Sequence, residues 1–167
     1  MDYRKFEHIT AFVFDVDGVF TNSEVIIMEN GDMLRTMNTR DGQAVRYALD
    51  AGYIVAVITK GASEGVRKRF EYLGLTDIYD KLKDKSEAFE HLVNKYELSK
   101  DKILYMGDDV PDLSLFDRVG ISSCPSDAVP DVLKRAEFIS PFAGGKGCVR
   151  DIIERIMRLK GDWPVKD

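Results

Sequence analysis

Asp15 and Asp17 stand one residue apart at the end of the apolar run Phe12-Val13-Phe14, and Gly18 follows them. A run of that kind belongs in a core, where an isolated carboxylate costs on the order of several kcal/mol unless it is paired or bound to metal. Two further apolar runs end in chemically capable residues. YIVAVIT (53–59) closes on Thr59, and ILYM (103–106) runs into Gly107-Asp108-Asp109, with Asp112 just beyond. Lys85 lies between these two runs in the chain. Taken singly, each is ordinary: an aspartate in a turn or cap, a threonine at a strand end, a lysine on a wet helix face. Taken as an ordered set, they fit one chemistry.

Carboxylates gathered at adjoining strand ends repel each other unless a hard cation sits between them. Mg²⁺ takes oxygen ligands in an octahedron and keeps several waters. Asp15, Asp108 and the backbone carbonyl of Asp17 are the expected protein donors. A carboxylate also attacks phosphorus to form an aspartyl-phosphate, and Asp15 is the expected nucleophile. Asp17, two residues on, points the same way if the backbone stays extended, and would protonate the leaving alkoxide, then take a proton from water. Thr59 would donate to a phosphoryl oxygen. Lys85 would offset charge that otherwise repels the incoming phosphate.

These residues need a scaffold that brings three strand ends together. Apolar β-branched runs alternate with helical patterns: strands over 9–15, 53–59, 77–80, 103–109, 119–124 and 137–140, and helices over 41–51, 63–73, 84–97, 110–118, 127–135 and 146–160. Ser63 is a helix cap and Gly74 a helix stop. Residues 24–38, EVIIMENGDMLRTMN, read as a hairpin turning at Glu29-Asn30-Gly31-Asp32. Such alternation predicts an α/β fold, a parallel sheet with helices on both faces, whose ligands bind at the carboxyl ends of the strands.

The chain has 167 residues, 44% hydrophobic and 32% charged, with a net charge of -5 and no long basic run. That balance argues against nucleic acid or an acidic membrane surface as a partner. Cys124 and Cys148 have no metal-ligand spacing and read as small packing residues of a reducing compartment. No targeting segment or membrane span is apparent, so a cytoplasmic protein is expected. His8 and His91 read as surface residues.

FDVDGV, IT, Lys85 and GDDVPD together resemble, in order, the four motifs of the haloacid dehalogenase (HAD) superfamily of phosphatases. The resemblance spans most of the chain and implies a Rossmann-like fold, a single domain over 1–167. Asp17 is similar to the second aspartate of the phosphatase branch; the ion pumps carry threonine there and the phosphonatases alanine. The hairpin followed by MNTRDGQAVR (37–46), then DK (84–85), GDDVPD (107–112) and AGGKGCVR (143–150), narrows the resemblance to the 3-deoxy-D-manno-octulosonate 8-phosphate (KDO8P) phosphatase group. That group hydrolyses an eight-carbon keto-acid sugar phosphate of the lipopolysaccharide pathway with Mg²⁺. Its near relatives act on nine-carbon sialic-acid-type 9-phosphates.

The resemblance places substrate contacts on Asp17, Asn38, Thr39, Arg40, Asp41, Gly42, Arg46, Arg69 and Lys85, with Arg40 and Arg46 near the sugar carboxylate. The group usually reads Thr-Gly-Arg after the second strand. Here the residues are Thr59-Lys60-Gly61, so glycine holds the arginine position and Lys60 brings the nearby positive charge, without an arginine's two-pronged geometry.

Neither the stretch between Asp17 and Thr59 nor that between Lys85 and Asp108 has room for a cap domain. A neighbouring subunit is then expected to cover the site. The resemblance implies a homotetramer in which hairpins associate, with a tail (about 157–167) in which Trp163 and Pro164 are candidate contacts. Val25, Ile26, Ile27, Met28, Met33, Leu34 and Met37 make the hairpin more apolar than an exposed one should be. Two readings of other classes compete. A phosphorylatable signalling module would carry its acidic pair on the first strand without the Asp-x-Asp-Gly pattern. A non-catalytic binding protein would not need the full set of catalytic residues.

Overall fold

The computed structural model describes residues 4–165. In chain order its elements are helix α1 (Arg4–Glu7), strand β1 (Ala11–Phe14), the short strands β2 (Ile26–Ile27) and β3 (Met33–Leu34), helix α2 (Thr39–Asp50), strand β4 (Ile54–Ile58), helix α3 (Glu64–Leu73), strand β5 (Asp77–Tyr79), helix α4 (Lys85–Lys95), strand β6 (Ile103–Met106), helix α5 (Leu113–Phe116), strand β7 (Ile121–Cys124), helix α6 (Pro130–Leu133), strand β8 (Phe138–Ile139) and helix α7 (Cys148–Lys160).

Every residue of β1 is buried. Its side chains alternate between two cores, as a strand's must. Phe12 and Phe14 face a cluster built with α2, α3 and α7, whereas Ala11 and Val13 face one built with α4, α5 and α6. A strand buried on both faces reads as a continuous apolar run, which is why this one is legible in sequence. The main sheet is wholly parallel, in the order β5-β4-β1-β6-β7-β8. β1 therefore lies between β4 and β6, with Phe14 in register with both Val57 and Met106. The chain first winds outward through β4 and β5 and then returns to the other side of β1. The strand order reverses at that point, so a crevice opens at the carboxyl ends of β4, β1 and β6.

The hairpin stands apart from this sheet. β2 pairs with β3 antiparallel, Ile26 opposite Leu34 and Ile27 opposite Met33. Ile27 is 73% exposed and Ile26, Leu34 and Met33 about half exposed, so the apolar surface predicted from the sequence is presented to solvent by the single chain. Met37, at its base, packs instead against the core.

Helix boundaries follow the local caps. Ser63 accepts from Val66 N–H, and Gly74, in left-handed backbone, closes α3. Asp84 accepts from Ser86 N–H and so starts α4 at Lys85. The helix expected over 110–118 is a 3₁₀ turn (Val110–Asp112) leading into α5, because Pro111 and the reciprocal Asp109/Asp112 capping box tighten its first turn. The helix expected over 127–135 shortens to α6, which starts at Pro130.

The tail corrects an expectation. Trp163 is 5% exposed and meets Tyr47 edge-on with ring centroids 5.2 Å apart, so it completes this chain's own core and is not free to reach a neighbour. Burial of an indole against α2 outweighs leaving it in water. Residues 166–167 of the predicted tail lie outside the described residues. Cys124 and Cys148 are both buried and unpaired, as packing residues. Among the described residues no helix is long and apolar enough to cross a membrane.

Candidate active site

At the reversal of strand order a cleft of ≈ 340 Å³ is lined by Asp15, Asp17, Thr59, Lys85, Asp108 and Asp112, among others. Each is delivered by a strand end or the helix start beside it. Asp15 directly follows β1 and stays tied to the sheet through its N–H to the Met106 carbonyl at 2.9 Å. Thr59 follows β4, and its N–H reaches the Tyr79 carbonyl at 2.8 Å. Gly107-Asp108 follows β6.

Lys85 organises the cluster. It is 2% exposed, and its ammonium lies 2.8 Å from Asp15 Oδ2, 2.6 Å from Asp112 Oδ1 and 3.3 Å from the Tyr105 hydroxyl. All three of its donors are thereby engaged. Burial alone would lower its pKa; the Asp15 and Asp112 carboxylates reverse that and hold it above the usual lysine value. Asp112 is fully buried and saturated. Its Oδ1 also accepts from Tyr105 at 2.6 Å, and its Oδ2 accepts from the N–H groups of Asp108 and Asp109 at 2.9 and 3.1 Å. Gly107 is what admits it, because a Cβ there would stand 2.3 Å from the Asp112 carboxyl carbon.

Asp15 and Asp108 have oxygens to spare. Asp15 Oδ1 accepts from the Val16 N–H at 2.6 Å, and among the described residues Asp108 Oδ2 accepts only a long 3.4 Å bond from Ser23. Burial, then the Asp112 charge, pushes the Asp15 carboxyl up to about 6 despite Lys85; burial, then Asp15 and Asp112, pushes Asp108 up to about 7. Oxygens of Asp15, Asp108 and Asp112 lie within 4.8 Å of one another, a spacing that suits a hard divalent cation. Asp112 is already committed to four donors, so Asp15 and Asp108 are the side chains that would hold the ion. Gly18 keeps that side open. Its φ is +83° and a Cβ would fall 1.9 Å from Asp108 Oδ2, so only glycine fits.

A testable consequence follows from the sign of those shifts. Without metal, the folded state retains protons on Asp15 and Asp108 between about pH 4 and pH 7, where an unfolded carboxylate has lost them. Stability is therefore expected to fall as pH rises through that window. A bound divalent ion, which prefers both groups ionised, should flatten or reverse the slope. Melting temperatures in chelator and in Mg²⁺, compared at about pH 5 and about pH 7.5, read this directly. A chelated protein equally stable at both would show that the cluster is not under charge strain.

The structure brings Asp15, Asp17, Thr59, Lys60, Lys85 and Asp108 to one cleft. Thr59 Oγ1 accepts from Gly61 N–H at 3.1 Å, which leaves its own proton for a ligand. The remaining predicted contacts lie elsewhere in the single chain. Asn38 caps α2, accepting from Arg40 N–H and donating to the Gly145 carbonyl. Thr39 begins that helix, and Arg40 faces a separate groove shared with Phe142 and Arg150. Asp41 is fully buried; one oxygen accepts from Arg150 N–H at 2.8 Å, the other has no hydrogen-bond partner among the described residues, and burial pushes the carboxyl up to about 6. Gly42 packs beneath Arg69 and Leu73. Arg46 donates to the Tyr72 carbonyl at 2.8 Å, and the guanidinium groups of Arg46 and Arg69 both lie over the Tyr72 ring.

Two contacts of the site escaped sequence reasoning. Asp112 was visible in the acidic run, but nothing local marked it as the buried partner of Lys85. Arg35 was overlooked altogether. It holds both oxygens of Asp17, from Nε to Oδ1 at 2.6 Å and from Nη2 to Oδ2 at 3.1 Å. Its being the only basic residue of the 24–38 hairpin was the available signal.

Comparison with known proteins bears on the family and the fold. The sequence profile of the haloacid dehalogenase-like hydrolase family matches residues 66–150. The Escherichia coli (strain K12) protein named 3-deoxy-D-manno-octulosonate 8-phosphate phosphatase KdsC is 34% identical over 157 residues, which cover 94% of this chain and 84% of that protein. A Legionella pneumophila HAD superfamily (subfamily III A) hydrolase of solved structure superposes with a TM-score of 0.92 at 35% identity, covering 95% of this chain and 87% of that one. The Moraxella catarrhalis 3-deoxy-D-manno-octulosonate 8-phosphate phosphatase, solved with magnesium ion, phosphate ion and KDO, superposes with a TM-score of 0.91 at 28% identity, covering 96% and 92%. With its acidic cleft at the switch point of a parallel sheet and relatives alike over nearly its whole length, the chain belongs to the haloacid dehalogenase-like hydrolases, within the group similar to the KDO8P phosphatases.

Proposed function

We propose that the protein is a Mg²⁺-dependent phosphatase that hydrolyses KDO8P to KDO and phosphate through an aspartyl-phosphate on Asp15. Its enzyme class is phosphoric monoester hydrolase. The observation that carries the mechanism is the pairing of two carboxylates, Asp15 and Asp17, at one strand end, with Lys85 2.8 Å from the first and Asp108 across the cleft. The eight-carbon substrate is supported by the E. coli relative's name and by the sugar and ions in the Moraxella structure.

In this reading an oxygen of Asp15 forms a bond to phosphorus as the ester bond to the sugar breaks. Asp17 gives its proton to the departing alkoxide, then removes one from the water that attacks the aspartyl-phosphate, releasing phosphate and restoring Asp15. Thr59 donates to a phosphoryl oxygen, and Lys85 holds Asp15 in place while offsetting negative charge. When bound by Asp15, Asp108 and the Asp17 carbonyl, Mg²⁺ neutralises phosphoryl charge as a Lewis acid.

The site of one chain is open; Arg40 and Arg69 line grooves other than the catalytic one, and Arg46 donates to the Tyr72 carbonyl. The exposed apolar hairpin fits a homotetramer in which a neighbour covers the cleft and brings these groups to the sugar. A cytoplasmic location and a place in lipopolysaccharide precursor synthesis follow from the substrate. The alternative within the class is a nine-carbon keto-acid 9-phosphate, favoured by the small Gly61 where the group usually has arginine.

Phosphate release from KDO8P and from a nine-carbon 9-phosphate, with and without Mg²⁺, decides among these. The expected result is Mg²⁺-dependent turnover with kcat/KM at least about tenfold higher for KDO8P, from a preparation whose light scattering gives four chains. Preference for the nine-carbon ester would move the substrate and keep the mechanism. Inertness toward both would refute the reading.

A further inference from the structure

The hairpin reaches the catalytic carboxylates through one side chain, which touches Asp17 from a pocket beside the cleft. Arg35, just after β3, has a side chain only 7% exposed although the strand before it is open to solvent. Its guanidinium makes a two-pronged contact with the Asp17 carboxylate, and its Nη1 donates to the Met33 carbonyl at 3.2 Å, which fixes the fork relative to the hairpin backbone. Asp17 is 38% exposed on its side chain, and among the described residues Arg35 is what orients it. Gly61 provides the space. A Cβ at that position would stand 3.0 Å from Asp17 Oδ2 and 3.8 Å from Arg35 Nη2, so a larger residue would crowd the same carboxylate edge.

We infer that Arg35 is the positioning residue for the acid–base carboxylate, so that the hairpin, through one guanidinium, sets where Asp17 points. This rests on the reading of Asp17 as the proton donor to the leaving alkoxide. A two-pronged arginine contact fixes direction as well as distance, which a lone carboxylate on a mobile turn lacks. Oδ1, at 2.6 Å from Nε, is the anchored oxygen. Oδ2, on the Gly61 side, is held by the longer 3.1 Å contact from Nη2. The hairpin thereby gains a role beyond its apolar surface, since any shift of its second strand carries the acid with it.

The test is the dependence of kcat/KM on leaving group, which reads only the steps up to release of the alcohol. Wild type, Arg35→Ala and Arg35→Lys are assayed on phosphate esters graded from p-nitrophenyl to simple primary alkyl, without any sugar. A nitrophenolate leaves without a proton and an alkoxide needs one, so misplacing the acid penalises the alkyl end. For Arg35→Ala the expected loss is roughly 10- to 100-fold on alkyl esters and less than about threefold on the nitrophenyl ester, giving a steeper slope. Arg35→Lys, which keeps the charge and loses the fork, should fall between, and added guanidinium ion should partly restore the alanine variant. A uniform loss along the series, or none, would overturn the positioning role even if both variants fold. A wild type inert toward every simple ester and toward KDO8P and the nine-carbon ester alike would instead refute the phosphatase reading on which the inference rests.

Discussion

Asp15→Asn is expected to lower phosphate release by roughly 10⁵-fold or more, the scale of loss when an attacking group is removed from a preorganised site. The amide has the size and shape of the carboxylate and can still accept from the Val16 N–H, so the strand end need not move. What it lacks is the charge and the nucleophilic oxygen. The fold should tolerate the change, because Lys85 keeps Asp112 and Tyr105 as partners and one crowded carboxylate is gone. Since burial and Asp112 already disfavour an ionised Asp15, the metal-free variant is expected to melt at or slightly above the wild-type temperature at neutral pH. Inactivity without instability is the signature sought. A variant retaining more than about 1% of wild-type kcat would remove Asp15 from the nucleophile's place.

Lys85→Met should combine a large activity loss with a large stability loss. The ammonium is almost completely buried between two carboxylates, and removing one partner of a buried ionic cluster costs about 3–5 kcal/mol because the others are left uncompensated. For a chain of this size that corresponds to roughly 6–20 °C in melting temperature. Adding Asp112→Asn to Lys85→Met removes one of the stranded charges and is expected to recover part of the stability. It should recover none of the activity, since the positive charge beside Asp15 is still missing. The double-mutant cycle therefore separates the structural from the chemical contribution of the pair. Additive effects on stability would show that Lys85 and Asp112 are not coupled, against their 2.6 Å contact.

Much of the framework was legible in the sequence for local reasons. Phe12-Val13-Phe14 and ILYM are continuous apolar runs because parallel strands are buried on both faces, and the cap Ser63 and the stop Gly74 act within one turn of the residues they start or end. Asp15, Thr59, Lys85 and Asp108 could be gathered in advance because strand alternation sends the carboxyl ends of neighbouring strands to one edge. Apolar side chains on the hairpin were equally plain, since they alternate with nothing that could bury them within so short a segment.

What tertiary structure alone decided involves partners far apart in sequence. Asp112 meets Lys85 across 27 residues and Arg35 meets Asp17 across 18, so no local period or cap encodes either contact. Arg40, Arg46 and Arg69 sit close to the site in sequence logic but on different helix faces in space, because the 3.6-residue turn of α2 aims Arg40 and Arg46 apart. Trp163 looked available as a tail residue until α7 brought it back onto Tyr47. The sequence thus specified the elements and the order of the catalytic residues, which depend on local pattern. Which charges neutralise which, and which arginine holds the acid, depends on long-range packing and emerges only when the sheet closes around β1.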